Sequence, residues 1–222
     1  MTTAGLNSFQ IAIANLFFSL PESQGFLLAG GGALIAQGIV PRVTEDLDLF
    51  TSRGRGETQV ASEAVVAATS TRGWHAKVKR TGKEFRRLEI TGPDVVIVDF
   101  AVDSPAACTP VVSIAGPSFA PEELVIRKTL ALFSRAEPRD FVDVFVLHQQ
   151  FDHMETLEKV AVADSGFTLE VFAQMLRSHT RLADVDFPEI GIPIEDIRAF
   201  FDQWAQGIQS AELRSRITKS RG

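Results

Sequence analysis

A run of three glycines between two apolar segments restricts this chain more than any other feature. Residues 26–50 read FLLAGGGALIAQGIVPRVTEDLDLF. FLLA is too short for a helix and, ending in glycines, reads as the last part of a buried strand over 25–29. The segment 32–38 reads as a short helix. Glycine at such a junction permits a tight turn and lets a ligand or side chain approach the backbone closely. The first turn of the helix then presents unpaired N–H groups, which suit a phosphate. The run is neither G-x-G-x-x-G nor a P-loop, because no Gly-Lys-Ser/Thr follows. Taken alone, Gly30, Gly31, Gly32 and Ala33 fit an ordinary strand–helix junction as well as a phosphate cradle.

The aspartates further along add chemistry. Residues 46–50 read as a strand, so Asp46 and Asp48 share one face while Leu47 and Leu49 point into a core. Two carboxylates side by side repel each other unless a cation lies near. Hard divalent cations such as Mg²⁺ take carboxylate and phosphate oxygens. A lone D-x-D is also compatible with a solvated strand face. Asp99 closes the apolar run VVIVD, where a carboxylate is costly without a partner. It is a candidate third metal ligand, or the base that takes a proton from an attacking hydroxyl. Asp103 competes for that role from a loop-like context. Three carboxylates and a glycine cradle together make a two-metal phosphoryl-transfer site.

The remaining pattern is helix, strand, helix, strand, helix, then three strands. The expected elements are helices over 10–20 and 57–71 and strands over 74–80, 85–90 and 95–100, with a hairpin turn at Gly82. Composition shifts near Pro117, and helices are expected over 121–134, 138–150, 167–178 and 193–211. The fold class is therefore α+β: a mixed sheet with flanking helices over residues 1–116, then a helical module over 117–222. No apolar run approaches the roughly 20 residues of a membrane span. No basic stretch of a signal peptide opens the chain, and Cys108 is the single cysteine. A cytoplasmic protein without a membrane partner is expected.

The net charge of −6 argues against a generally basic nucleic-acid binder. Basic residues nonetheless cluster locally. Lys77, Lys79, Arg80, Lys83, Arg86 and Arg87 lie on the expected hairpin and form a candidate acceptor surface for a nucleic acid, or a charged, solvated hairpin. Arg214, Arg216, Lys219 and Arg221 make a second cluster. The histidines His75, His148, His153 and His179 form no convincing zinc pair.

The ordered set of motifs resembles the DNA polymerase β-type nucleotidyltransferases, and within them the AbiEii/AbiGii toxin-like branch. The resemblance rests on Gly31-Gly32, thirteen residues, and then Asp46-Leu-Asp48, with Arg42 and Thr44 just before. It continues in ELVIRKTLALFSRAEPRDFVDVFVL, where Lys128 matches the branch's helical lysine and Arg139, Asp140 and Asp143 match its R-D-x-x-D. It covers about residues 25–150. The chain departs from the pattern at Gly32, where many polymerase β-type enzymes carry Ser, and at Ala33, where many toxin-like members carry Thr.

The resemblance implies a toxin-type nucleotidyltransferase that uses Mg²⁺ or Mn²⁺ and a nucleoside triphosphate. It implies an antitoxin partner and a tRNA 3′ end as acceptor, often modified with pyrimidine nucleotides. In this reading Asp46, Asp48 and Asp99 hold the metal ions, and Lys128 contacts the triphosphate. Gly30–Ala33, Arg42 and Thr44 border the nucleotide. Asp140 and Asp143 either orient Lys128, contact the nucleotide, or pair with Arg139 or Arg135. Transfer to a protein or small molecule is an alternative, as is a nucleotide-binding regulator without catalysis.

Overall fold

A computed structural model describes residues 5–219, with the side chains of 212–219 excepted. The C-terminal basic cluster, Arg214, Arg216, Lys219 and Arg221, lies outside the described side chains. The chain forms two compact units, the first ending at Leu124 and the second beginning at Val125.

The first unit opens with α1 (Ser8–Phe18). Asn7 caps it by accepting the Gln10 N–H, and the Gln10 side chain accepts the Asn7 N–H in return. There follow β1 (Phe26–Ala29), α2 (Gly30–Ala36), β2 (Asp46–Ser52), α3 (Thr58–Ser70), β3 (His75–Thr81), β4 (Phe85–Thr91) and β5 (Val95–Asp103). Two short strands, β6 (Val111–Ser113) and β7 (Gly116–Ser118), complete the sheet.

The seven strands run in the order β3-β4-β5-β2-β1-β7-β6. β2 and β5 are parallel, β1 and β7 are parallel, and the other neighbours are antiparallel. The sheet is therefore mixed. The alternation read from the D-x-D segment is present: Leu47, Leu49 and Thr51 are buried, while Asp46, Asp48 and Phe50 are half-buried. The core beneath holds Phe17, Leu28, Leu47, Leu49 and Phe100, all essentially without exposure. Phe17 meets Phe26 and Phe100 edge to face.

The second unit contains most of α4 (Pro121–Ser134), then α5 (Pro138–Leu147), α6 (His153–Ala163), α7 (Leu169–Arg177) and α8 (Ile194–Lys219). Phe141, Phe172 and Phe201 are fully buried at its centre. The unit boundary falls inside α4 rather than at the composition shift near Pro117. Glu123, in the first turn of α4, accepts the N–H groups of Ala107 and Cys108 and so ties that turn to the loop after β5. Among the described residues no helix is long and apolar enough to cross a membrane.

Candidate active site

The register of the sheet lines up Ala29, Asp48, Asp99 and Arg87 on four adjacent strands. Ala29 pairs with Asp48, Asp48 with Asp99, and Asp99 with Arg87. Registered residues project to the same face, so Asp48, Asp99 and Arg87 form a row, and Asp46 joins it two residues from Asp48. Asp103 sits four residues further along β5, roughly 13 Å away at the strand spacing, and is exposed. It does not share this site.

The glycines make room for the chain's own side chains. Gly30 has φ +59, in the left-handed region, and a Cβ there would collide with the Asp48 carboxylate. A Cβ at Gly31 would collide with the Arg42 guanidinium. Arg42 is only 4 % exposed, and its Nη1 donates to the Val43 carbonyl at 2.9 Å. Gly32 differs, because its Cβ would make ordinary contacts of 3.6 Å with Leu28 and Leu47. The turn therefore needs glycine at its first position, where the backbone is left-handed, leaves room for the Arg42 guanidinium at its second, and makes no such demand at its third.

Asp46 and Asp99 are each held in place. The Thr44 hydroxyl donates to Asp46 Oδ1 at 2.6 Å. Thr44 is itself fixed, because the buried Gln10 side chain donates to its carbonyl at 2.7 Å. Asp99 is 5 % exposed and receives both arms of one guanidinium, Arg87 Nε to Oδ1 at 2.7 Å and Nη2 to Oδ2 at 2.6 Å. These hydrogen bonds hold Arg87 above its ordinary pKa, with the charges of Asp99, Asp46 and Asp48 adding to the effect against a cost of burial.

The donor set suits a hard divalent cation: carboxylate oxygens on neighbouring strands beside a glycine turn. Asp46 and Asp48 are placed for it by their shared strand face. In the orientation observed, however, no three His, Cys, Asp or Glu side chains among the described residues converge as a metal group. At Asp99, Arg87 covers both oxygens.

The basic hairpin divides. Lys77, Lys79, Arg80 and Lys83 are exposed, and Lys79 Nζ pairs with Glu89 at 2.9 Å. Arg87 departs from the expected nucleic-acid surface, being committed to Asp99. Arg86 departs from it too: it registers with the buried Phe100, on the opposite face from Arg87, and its Nε is buried without a partner. A charge run in sequence does not reveal which alternate residue faces a carboxylate across the ladder. The Arg87–Asp99 pair needed strand register to be found.

Lys128 belongs to a buried ionic cluster in the second unit. Its Nζ lies 2.6 Å from Asp143 Oδ2 and 3.7 Å from Asp140 Oδ1. Both aspartate side chains have no exposure. Asp140 is also gripped by Arg135, with Nε at 2.8 Å and Nη2 at 2.9 Å. Arg139 pairs instead with Glu137 at 2.9 Å. The two aspartates, three apart on one helical face, thus orient Lys128 and brace α5 against α4.

A cavity of about 750 Å³ opens at the other end of β1 and β2, bordered by Phe26, Phe50, Thr51, Arg53, Arg55 and Cys108. No carboxylate lines it, so it offers no seat for the metal chemistry of the aspartate row.

A mixed sheet with D-x-D on one strand, a registered aspartate on the next and a glycine turn alongside defines the nucleotidyltransferase class. The family model described as "Nucleotidyl transferase AbiEii toxin, Type IV TA system" matches residues 14–219. The chain belongs to the AbiEii nucleotidyltransferase toxin family. It is accordingly a nucleotidyltransferase of the toxin type. No curated protein matches it. Among solved structures it is similar to JHP933 from Helicobacter pylori, at 17% identity and TM-score 0.57, covering 97% of this chain and 99% of that one. It is also similar to MenT4, a nucleotidyltransferase toxin from Mycobacterium tuberculosis, at 14% identity and TM-score 0.55, covering 92% and 90%. These likenesses are likenesses of fold.

Proposed function

We propose that this enzyme transfers a nucleoside monophosphate from a divalent-metal-bound nucleoside triphosphate to the 3′ hydroxyl of an RNA, with tRNA as the acceptor and a pyrimidine nucleotide as donor. The observation that carries the reading is the row Asp48–Asp99 with Asp46 beside it, bordered by the Gly30–Gly31 turn. A divalent cation bound there supplies charge that stabilises the attacking and leaving oxygens of an in-line displacement. Asp46 and Asp48 hold it, and Thr44 fixes the orientation of Asp46. Asp99 stands beside Asp48 to receive the proton of the acceptor hydroxyl or to complete the metal site. Arg42, anchored over Gly31, faces the turn where the triphosphate passes. Lys128 provides positive charge for the leaving pyrophosphate. Lys77, Lys79, Arg80 and Lys83 give the acceptor backbone an exposed basic edge on the same sheet. Blocking an acceptor end in this way stops aminoacylation and growth, and the family's type IV toxin–antitoxin description implies an antitoxin that opposes it.

The test is incubation with each labelled nucleoside triphosphate, Mg²⁺ and total tRNA. Label in tRNA with CTP or UTP supports the proposal. Label confined to protein or to a small hydroxyl compound replaces the acceptor assignment. No label in any acceptor removes it.

A further inference from the structure

We infer that Arg87 is a latch on the active site: its guanidinium occupies Asp99 in place of a cation, and Asp99 can join the metal site only when Arg87 lets go. This rests on the placement of the metal site at Asp46, Asp48 and Asp99 proposed above.

Three observations carry it. The Arg87–Asp99 contact is bidentate, at 2.7 and 2.6 Å, and leaves neither oxygen of a 5 % exposed carboxylate open to another ligand in that direction. Arg87 interacts electrostatically with Asp46 and Asp48 as well, so its charge serves the whole carboxylate group. Arg87 is itself 43% exposed at the side chain, with its charged end over the Phe85 ring 5.9 Å away, so it has room to swing.

The arrangement has a physical logic. Three carboxylates side by side without a counter-charge repel one another. A guanidinium among them neutralises part of that charge in the resting enzyme. A divalent cation carried in with the nucleotide competes for the same oxygens. Once displaced, Arg87 lies on the sheet face that also bears Arg80, its register partner on β3, where an acceptor phosphate would hold it. Asp99 would then complete the site only once the metal-bound nucleotide is present, and an acceptor phosphate would keep Arg87 away from it.

Mn²⁺ binding to the intact protein without nucleotide, followed by electron paramagnetic resonance, tests the latch. Arg87→Ala and Arg87→Gln are expected to tighten the weaker Mn²⁺ site about tenfold relative to wild type. Arg87→Lys, which keeps the charge and loses the fork, is expected to fall between. In an Asp99→Asn background, Arg87→Ala should tighten Mn²⁺ binding by clearly less than it does beside the native Asp99, because only the charge effect on Asp46 and Asp48 then remains. Unchanged or weaker Mn²⁺ binding in folded Arg87→Ala and Arg87→Gln overturns the latch. If neither variant folds, the Arg87 Nε–H resonance of ¹⁵N-labelled wild type decides. It should shift or broaden when Mg²⁺ and a non-hydrolysable triphosphate bind, and a resonance that stays fixed on binding overturns the inference. Failure of the underlying site placement looks different, because Asp48→Asn would then bind Mn²⁺ as wild type does.

Discussion

Gly30 and Asp48 occupy one another's space: the Asp48 carboxylate lies where a Cβ on residue 30 would have to be. The glycine run is thus a device for seating a site carboxylate against the backbone. Gly31 does the same for Arg42.

That geometry separates three neighbouring glycines. Gly30→Ala adds left-handed strain of about 1 kcal/mol or more and pushes Asp48 aside, so transfer should be lost with a lowered melting temperature. Gly31→Ala should displace Arg42 and lose activity as well. Gly32→Ala, on α2, meets only ordinary contacts with Leu28 and Leu47 and should raise stability by up to about 1 kcal/mol. Gly32→Ser should fold equally well and restore the hydroxyl that many polymerase β-type enzymes carry. Thermal melts and nucleotide-transfer rates on the four variants check the order.

Thr44 holds Asp46 through a hydrogen bond of 2.6 Å to Oδ1. Thr44→Val keeps the shape and removes the donor. Transfer should fall about tenfold with the fold intact, and Thr44→Ser should restore most of it. Rates at saturating nucleotide, beside a melting curve, make the comparison.

The Lys128 cluster is buried, and breaking it by halves leaves a naked charge. Asp143→Ala should destabilise the protein by about 3–5 kcal/mol in urea unfolding. Lys128→Met with Asp143→Leu should recover much of that loss, since Asp140 retains Arg135. Transfer should stay low in the double variant. Recovery of both stability and transfer would remove Lys128 from the proposed chemistry.

His148 gives the second unit an acid sensitivity. It is buried against His153 and Trp204, and burial, followed by the nearby His153, lowers its pKa from 6.5 to about 4 against a smaller opposing pull from the Phe151 backbone. The unfolded chain then binds the proton more readily than the folded one. Its contribution is fully present above pH about 6.5 and is lost as pH falls toward 4, by up to about 3 kcal/mol. Unfolding followed by Trp204 fluorescence between pH 7 and about 4.5 should show this slope, and His148→Phe should flatten it.

Much of the aspartate row in the first unit was legible in the sequence because its signals are strong and local. Asp46 and Asp48 alternate with Leu47 and Leu49, and Asp99 interrupts an otherwise apolar strand. The strands β6 and β7 were missed because three residues each carry no periodicity. The helix α6 was missed although Asp152 accepts the Glu155 N–H as an N-cap, a signal that stood in the sequence. Arg87 was read as one charge in a basic surface. Its real partner lies twelve residues away in sequence and directly opposite in the ladder, and only the register of β4 on β5 reveals it.

The proposed transfer depends on a metal that Asp46, Asp48 and Asp99 would hold. Asp48→Asn tests it most directly, because Asn keeps the shape beside Gly30 and removes the charge. With Mg²⁺ and the preferred triphosphate, transfer should fall by a factor on the order of 10³ while the melting temperature stays close to wild type. Wild-type transfer rates by Asp48→Asn in Mg²⁺ would contradict the account.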